Sequence, residues 1–336
     1  MSVREAPRAG PGIWWWAFGY FAAYAPYSAL TKALSDGVLG PRVSGNAILP
    51  VSTSASLVAM LAFVFATGWW RFASRRQVGA VSLPTPSRWT AASGLCGATI
   101  LTTTTLAYTF EGVSIVFMML LMRGGVLLMA PLVDLLSGRR VRWYSWVALA
   151  LTASSLAAAT MGRAELRVSL LALVNVALYL GAYFVRLRFM SRLAKSADPA
   201  VTKRYFVEEQ LVSTPAALLA LACLALVGEG GLSEFRRGFV EVPFSPQVGW
   251  AVVIGVLSQG TGIFGALVLL DARENSFSVP VNRASSVLAG VVATVAMAAL
   301  ALGKPLETAE ALGAALVVLA ILVLSLSPML ERRRAS

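Results

Sequence analysis

Residues 111–123 read EGVSIVFMMLLMR, an apolar run that opens on an acidic residue and closes on Arg123. The apolar character continues well beyond the arginine, so its guanidinium lies near the middle of a segment of membrane length. Placing a charge there costs about 3 kcal/mol even on lenient insertion scales. The arrangement recurs 160 residues later, where Asp271 opens a stretch that closes on Arg283. Because this free-energy cost occurs twice, at matched positions, it indicates that the two arginines have a function.

The composition is that of a polytopic membrane protein. Of the 336 residues, 57% are hydrophobic and only 13% are charged, whereas soluble domains carry roughly 25% charged residues. The mean hydropathy is +0.73. The many apolar runs have the length of membrane helices, in which every backbone polar group is satisfied internally. We therefore predict an all-α fold.

Ten hydrophobic segments of about 18 to 26 residues can be placed along the chain. Their predicted ranges are 14–34, 47–70, 89–109, 113–137, 143–161, 168–189, 206–227, 248–270, 277–302 and 308–327. The connections are short, and the longest of them, 228–247, is too short for a separate soluble domain. The sequence thus predicts ten transmembrane helices in one membrane domain.

Lysine and arginine residues are distributed unevenly between the predicted connections. With the N-terminus on the cytoplasmic side, nineteen of them lie on that side, six lie on the other, and three fall within or at the edge of spans. This imbalance predicts that both termini are cytoplasmic, and the short tails favour a bacterial inner membrane. It also accounts for the net charge of +12, so we expect no nucleic-acid partner.

The residue inventory argues against most catalytic chemistry. The chain has no histidine, which removes the commonest general base and metal ligand, and its two cysteines lie within apolar runs. No nucleotide-binding loop or dinucleotide fingerprint is found. We expect no metal, no cofactor and no enzymatic activity. A membrane enzyme and a signalling or scaffold role are the less favoured alternatives.

A second internal similarity extends the match between the two arginine segments. Residues 51–59 read VSTSASLVA, and residues 212–220, 161 positions later, read VSTPAALLA. Each half then holds five predicted helices, and an odd number places the two halves in opposite orientations in the membrane. We predict a five-plus-five inverted repeat, with residues 1–165 as the first half and residues 166–336 as the second.

The ten spans, the cytoplasmic ends and residues 300–324, LALGKPLETAEALGAALVVLAILVL, resemble the drug/metabolite transporter superfamily. Its EamA-like repeat carries a similar leucine–glycine–glutamate turn before a glycine-bearing helix. In this chain the residue after that glycine is Arg139 in the first half and Lys304 in the second. The resemblance implies a ten-helix carrier with a central cavity lined by spans 1, 3, 4, 6, 8 and 9.

Arg123 and Arg283 are the first candidate substrate-binding residues, because the resemblance places them on opposite walls of that cavity. A guanidinium group matches a carboxylate or phosphate at two points and keeps its charge at any working pH. The functional interpretation is therefore anion binding. The alternative is structural, in which each arginine pairs with a carboxylate or with the carbonyl groups at a helix end.

Six further polar residues within the predicted spans complete the candidate site. The cation among them either binds the anion or extends to the lipid headgroups, and the tyrosines line the cavity or belong to an interfacial aromatic belt. The amides contact substrate or form hydrogen bonds between helices. These residues are Lys32, Tyr24, Tyr179, Asn282, Asn175 and Gln259.

The candidates for proton coupling are four acidic residues near predicted helix ends, where we expect an ordinary solvated carboxylate: Glu111, Asp134, Glu208 and Glu209. With no acid in the middle of a span and no histidine, the sequence shows no strong proton relay. Exchange of one anion for another, or facilitated movement, is at least as well supported as proton symport.

The sequence therefore predicts a transporter that moves a small organic, anionic metabolite by alternating access. Two alternatives stay open, a flippase for a phosphorylated lipid carrier and an exporter of amino acids or amphipathic metabolites. The expected partners are the small-molecule anion and the lipid bilayer, and a homodimer stays open as an assembly.

Overall fold

The computed structural model describes residues 12–78, 81–107, 115–160, 170–196, 198–300 and 308–335. Within these ranges the chain is all-α apart from one short β-hairpin. Glu111, which opens the first arginine stretch, and Lys304, in the second family-like turn, lie outside the described residues.

Ten long helices and one short helix are present in the described ranges. The first five are α1 (Ile13–Asp36), α2 (Gly45–Ala66), α3 (Arg88–Leu106), α4 (Ile115–Leu136) and α5 (Trp143–Thr160). They are followed by α6 (Leu170–Leu193), α7 (Pro199–Val227), the short α8 (Ser233–Val240), α9 (Val248–Leu269), α10 (Asn275–Ala299) and α11 (Thr308–Ala335).

Several of these helices have the properties of membrane spans. In the described part of the chain, α2, α6, α7, α9 and α10 are long and apolar enough to cross a membrane, and residues 311–327 of α11 form a shorter apolar stretch. Large apolar side chains on their outer faces are exposed, among them Val58, Leu178 and Leu219. The prediction of an all-α protein with membrane helices is confirmed, while the number of crossings stays a prediction.

Capping residues explain where two of the helices begin. The side chain of Ser44 accepts a hydrogen bond from the backbone of Ala47 and caps α2. The carboxylate of Asp198 accepts from Ala200 at 2.9 Å, and Pro199 occupies the first turn of α7. For this reason α7 begins seven residues before the predicted span 206–227, in a polar segment that hydropathy does not identify.

A β-hairpin and a short helix were not predicted. Strands β1 (Arg75–Val78) and β2 (Val81–Pro84) pair antiparallel between α2 and α3, in register from Arg75 opposite Pro84. The connection 228–247 contains the amphipathic α8, whose Phe235 is fully buried. Gly238 of α8 lies so close to the backbone of α2 that a Cβ atom there would meet the Ala47 carbonyl oxygen at 2.5 Å.

The helix packing follows a regular pattern. Helix α3 packs on α6 and α7, while α9 packs on α1 and α2. Helix α4 packs on α5 and α6, while α10 packs on α11 and α1. Three further contacts join α2 to α7, α4 to α10, and α5 to α11.

Asp134, at the end of α4, caps the N-terminus of α10. Its carboxylate accepts from both the backbone and the side chain of Asn275 and Ser276, at 2.6–2.8 Å, and the residue is fully buried. A negative charge at a helix N-terminus is favourable. The expectation that this carboxylate is solvated was wrong, because its partners lie 141 and 142 positions away in sequence.

Glu208 has a similar role at the start of α3. It accepts from the backbones of Ser74 and Ser87, from the Thr90 hydroxyl at 2.7 Å and from Arg204 at 3.1 Å, and its side chain is fully buried. The expectation of a solvated carboxylate was wrong here too. Both acids join elements that are distant in sequence at one end of the helix bundle.

Candidate substrate cavity

A cavity of about 350 Å³ lies among α1, α2, α3, α6, α7, α9 and α10. Its wall is rich in hydroxyl and amide side chains and includes two arginines. The polar residues that line it are Tyr20, Tyr27, Ser52, Thr53, Ser56, Thr104, Tyr183, Arg186, Gln210, Ser213, Thr214, Ser258, Gln259, Thr261, Asn282 and Arg283. The volume is near the lower end of the range for ligand pockets, about 300–1,000 Å³.

The lining positions are related by a constant sequence offset. Every lining residue on α2 is matched 161 positions later by a lining residue on α7, and every lining residue on α3 is matched in the same way on α9. The α2–α7 matches are Leu49 with Gln210, Ser52 with Ser213, Thr53 with Thr214, and Ser56 with Ala217. The α3–α9 matches are Gly97 with Ser258, Ile100 with Thr261, Leu101 with Gly262, and Thr104 with Gly265.

Arg283 lies in the cavity wall, on the third turn of α10. Its guanidinium carbon is 5.3 Å from the centroid of the Tyr183 ring, an arrangement in which the ring face attracts the cation. Its Nε is enclosed and has no hydrogen-bond partner among the described residues. No carboxylate in the described part of the chain lies within ion-pair distance of it. The guanidinium interacts with Tyr183, but its Nε and its charge have no anionic partner among the described residues.

Arg123 lies behind the wall rather than in it. One of its terminal nitrogens donates to the Tyr24 hydroxyl at 3.1 Å. Arg123 and Arg283 together line a second, very small cavity of about 10 Å³, with Ser286 among the other lining residues. The two predicted arginines are thus brought together, but only Arg283 borders the large cavity.

The remaining predicted site residues fall into three groups. Gln259 and Asn282 line the large cavity, and the amide nitrogen of Gln259 is enclosed without a partner among the described residues. Tyr24 and Tyr179 do not line it but pack at a tilt against the lining tyrosines Tyr20 and Tyr183, at centroid distances of 5.5 and 4.9 Å. The third group does not border the cavity.

Asn175 and Lys32 form this third group. The amide of Asn175 donates to the Thr103 carbonyl at 2.9 Å and joins α6 to α3. Lys32, near the end of α1, is 60% exposed and pairs with the carboxylate of Asp36 at 3.4 Å. Their contacts are those of an interhelical bond and a surface ion pair.

An ion pair in the cavity wall was not anticipated from sequence. Arg186 of α6 donates through Nε and a terminal nitrogen to the two oxygens of Glu209 on α7, at 2.9 Å each. Glu209 is fully buried and also accepts from the Ser93 hydroxyl at 2.6 Å. The expectation of a solvated Glu209 was wrong, because α7 begins earlier than predicted and places this residue between α3 and α6.

The hydroxyl-rich lining was also not predicted as a site from the sequence. The signal was present, because residues 51–53 and 212–214 both read VST. Their serines and threonines all line the cavity. Spacing alone did not separate the lining tyrosines, Tyr20 and Tyr183, from their neighbours Tyr24 and Tyr179.

Comparison with known proteins adds information on the fold. No protein-family model and no curated protein matches the chain. A solved structure described only as "Crystal structure of protein" is similar, with a TM-score of 0.55 over 96% of this chain and 98% of the other. The two sequences are 16% identical, so this likeness concerns the architecture alone.

Proposed function

We propose that this chain is a membrane transporter that carries a small organic anion by alternating access through the cavity around Arg283. The observation that carries the proposal is a guanidinium with an enclosed Nε in the wall of a 350 Å³ cavity, with no carboxylate partner among the described residues. A charged group inside a membrane bundle is costly and marks substrate pathways. An anionic substrate would neutralise that charge.

The internal symmetry supports the transport mechanism. We infer ten transmembrane helices in two inverted halves, residues 1–165 and 166–336, as in the EamA-like carriers of the drug/metabolite transporter superfamily. Exchanging each helix of one half with its counterpart in the other converts the α3–α7 contact into α9–α2, and the α1–α9 contact into α6–α3. The matched cavity lining follows the same exchange. Repeats of this kind rock against one another around a fixed site.

The orientation completes the proposal. Both termini would be cytoplasmic, in a bacterial inner membrane, as the distribution of basic residues favours. Under this orientation the lining residues Leu49 and Thr104 lie toward the outer ends of α2 and α3. The polar contacts of Asp134 and Glu208 would then close the cytoplasmic end. The structure would correspond to a state that faces outward.

Uptake into proteoliposomes tests the proposal. The purified chain is reconstituted and supplied with a labelled panel of carboxylates, sugar phosphates, amino acids and lipid phosphates. We expect uptake of at least one small anion, abolished in Arg283→Gln and retained in Arg192→Gln, whose arginine lies exposed at the end of α6. Thermal unfolding of each variant shows whether it is folded. Uptake that survives in folded Arg283→Gln, or movement of lipid phosphates alone, would contradict the proposal.

Arg123 would support the site indirectly. Its contact with Tyr24 holds the middle of a row of three tyrosines on α1, whose outer members, Tyr20 and Tyr27, line the cavity. We expect Arg123→Ala to reduce uptake through a higher KM, because the wall around Arg283 loses a positioning contact. Loss of folding in Arg123→Ala would instead support a structural role for this arginine.

A further inference from the structure

The charges in the cavity wall define the charge of the ligand. Among the described residues, the charged side chains that line the cavity are Arg186 and Arg283. The charge of Arg186 is neutralised by Glu209, because two guanidinium nitrogens each donate to a carboxylate oxygen at 2.9 Å. Arg123 directs its guanidinium to Tyr24 and does not line this cavity. The wall therefore presents one uncompensated positive charge, and a second negative charge on a ligand would be buried without a partner.

Three hydroxyl groups of the wall are acceptors toward a ligand. Ser56, Thr104 and Thr261 each donate their hydrogen to a backbone carbonyl oxygen at 2.7 Å. A hydroxyl has one hydrogen and two acceptor positions, so each of these oxygens keeps acceptor capacity but has no hydrogen to offer. A ligand that contacts these three oxygens must bring donors of its own.

Neutral hydroxyl groups are the donors that fit. An ammonium group on the ligand would need a carboxylate, and the carboxylate beside the cavity, Glu209, is already held by Arg186 and Ser93. A cavity of about 350 Å³ also suits a small metabolite rather than a nucleotide-linked one. Charge, hydrogen bonding and size thus converge on one chemical class.

We propose that the cavity binds a hydroxylated monocarboxylic acid, of which open-chain sugar acids are examples. The carboxylate contacts Arg283, and the hydroxyl groups donate to the oxygens of Ser56, Thr104 and Thr261. This inference rests on the proposed transport function and specifies its substrate class.

Four six-carbon compounds test separately the need for the carboxylate, for the hydroxyl groups and for a single charged group. Gluconate carries one carboxylate and several hydroxyls, hexanoate lacks the hydroxyls, sorbitol lacks the charge, and 6-phosphogluconate adds a second charged group. We expect gluconate to raise the melting temperature of the purified chain and to enter proteoliposomes, with an apparent affinity at least about tenfold higher than that of the other three. Equal or tighter binding of hexanoate or of 6-phosphogluconate would overturn the inference.

A matched pair of variants tests the acceptor role of the wall. Thr261→Val removes a lining hydroxyl without changing the shape of the side chain, and we expect it to weaken gluconate binding about fivefold while hexanoate binding is unchanged. Thr99→Val removes an equivalent back-bonded hydroxyl on the exposed side of α3 and should change neither. Equal weakening for both probes in Thr261→Val would contradict the acceptor role.

The same measurements distinguish this inference from the proposed function. Uptake of a different anion that depends on Arg283, with no response to gluconate, would overturn the substrate class and leave the transport proposal standing. Absence of Arg283-dependent uptake for any anion of the wider panel would overturn both.

Discussion

Arg186 and Glu209 form a two-point ion pair between α6 and α7, in which each guanidinium nitrogen is 2.9 Å from a different carboxylate oxygen. The Glu209 side chain is fully buried, and only 13% of the Arg186 side chain is exposed. Taking both charges out of water offsets much of their attraction, whereas a single remaining charge has no compensation. The pair therefore fixes the relative position of the two helices more than it adds net stability.

Single and double variants of this pair should behave differently. Arg186→Gln or Glu209→Gln alone is expected to lower the free energy of unfolding by about 3–5 kcal/mol, because the other charge stays buried. The double variant should recover most of that loss. Thermal unfolding in detergent measures the stability of the two single variants and of the double variant. If the stability loss of the double variant equals the sum of the two single losses, the residues do not act as a pair. Arg237→Gln, which breaks an exposed pair with Glu234, serves as the control and should leave the melting temperature nearly unchanged.

Asp134 should be important for the stability of the α4–α10 junction. In Asp134→Asn, an amide NH₂ replaces one carboxylate oxygen and faces the donors of Asn275 or Ser276. We expect a loss of about 1–3 kcal/mol in the free energy of unfolding. Asp36→Asn is the matched control, since Asp36 is 49% exposed and pairs with the exposed Lys32. Equal melting temperatures for the two variants would contradict a capping role for Asp134.

Two glycines 161 positions apart should be equally intolerant of substitution. A Cβ atom at Gly94 would lie 2.7 Å from Cβ of Val212 on α7, and one at Gly255 would collide with the Ser52 carbonyl oxygen on α2. We expect Gly94→Ala and Gly255→Ala each to destabilise the fold by about 1–3 kcal/mol through overpacking. Gly181→Ala, where a Cβ meets open space, should be neutral or stabilising. A stable Gly255→Ala variant would show that α2 and α9 do not need this close approach.

Lys195, just beyond the end of α6, should make stability depend on pH. Burial is the main cause that lowers the pKa of Lys195 from 10.5 to about 7, opposed by the charge of Asp134 and assisted by that of Arg139. Its Nζ donates to the Arg273 carbonyl at 2.8 Å and to the Ser278 hydroxyl at 3.0 Å, two bonds that a neutral amine can also make.

The direction of the pH dependence follows from the lowered pKa of Lys195. The unfolded chain binds a proton at Lys195 that the folded chain releases above pH 7, so stability rises as pH increases from about 7 toward 10.5 and does not depend on this group below about pH 7. We expect the melting temperature to increase from pH 6 to pH 9, and to increase less in Lys195→Met. The chain has no histidine, so few other groups titrate in this window. An identical pH response in the variant would exclude Lys195 as the source.

Hydropathy was sufficient to place most helices. The predicted spans 143–161 and 248–270 correspond to Trp143–Thr160 and Val248–Leu269. The start of α7 was misplaced because a polar first turn, fixed by Asp198, precedes the apolar run. The amphipathic α8 was missed because its eight residues carry too few apolar side chains to form a hydrophobic run.

The candidate site was predictable only in part. The sequence identified three of the lining residues, Arg283, Gln259 and Asn282, because a polar side chain within an apolar helix is visible in the sequence. The pairing of Glu209 with Arg186 was not visible, because it depends on how α6 and α7 are brought together. Exposure of Lys32 likewise depends on where α1 ends relative to its neighbours.

The paired lining positions are not all identical, and under the proposed transport function these differences would have a kinetic consequence. The α3 residues Ile100 and Thr104 are matched on α9 by Thr261 and Gly265. The hydroxyl is therefore on the second of the two positions in α3 and on the first in α9. If the two halves exchange conformations when the cavity changes sides, a substrate that loads from one face of the membrane meets a different order of acceptors from one that loads from the opposite face. The half-saturation concentrations for entry and exit would then be unequal, and the carrier would respond asymmetrically to the same gradient applied in opposite directions.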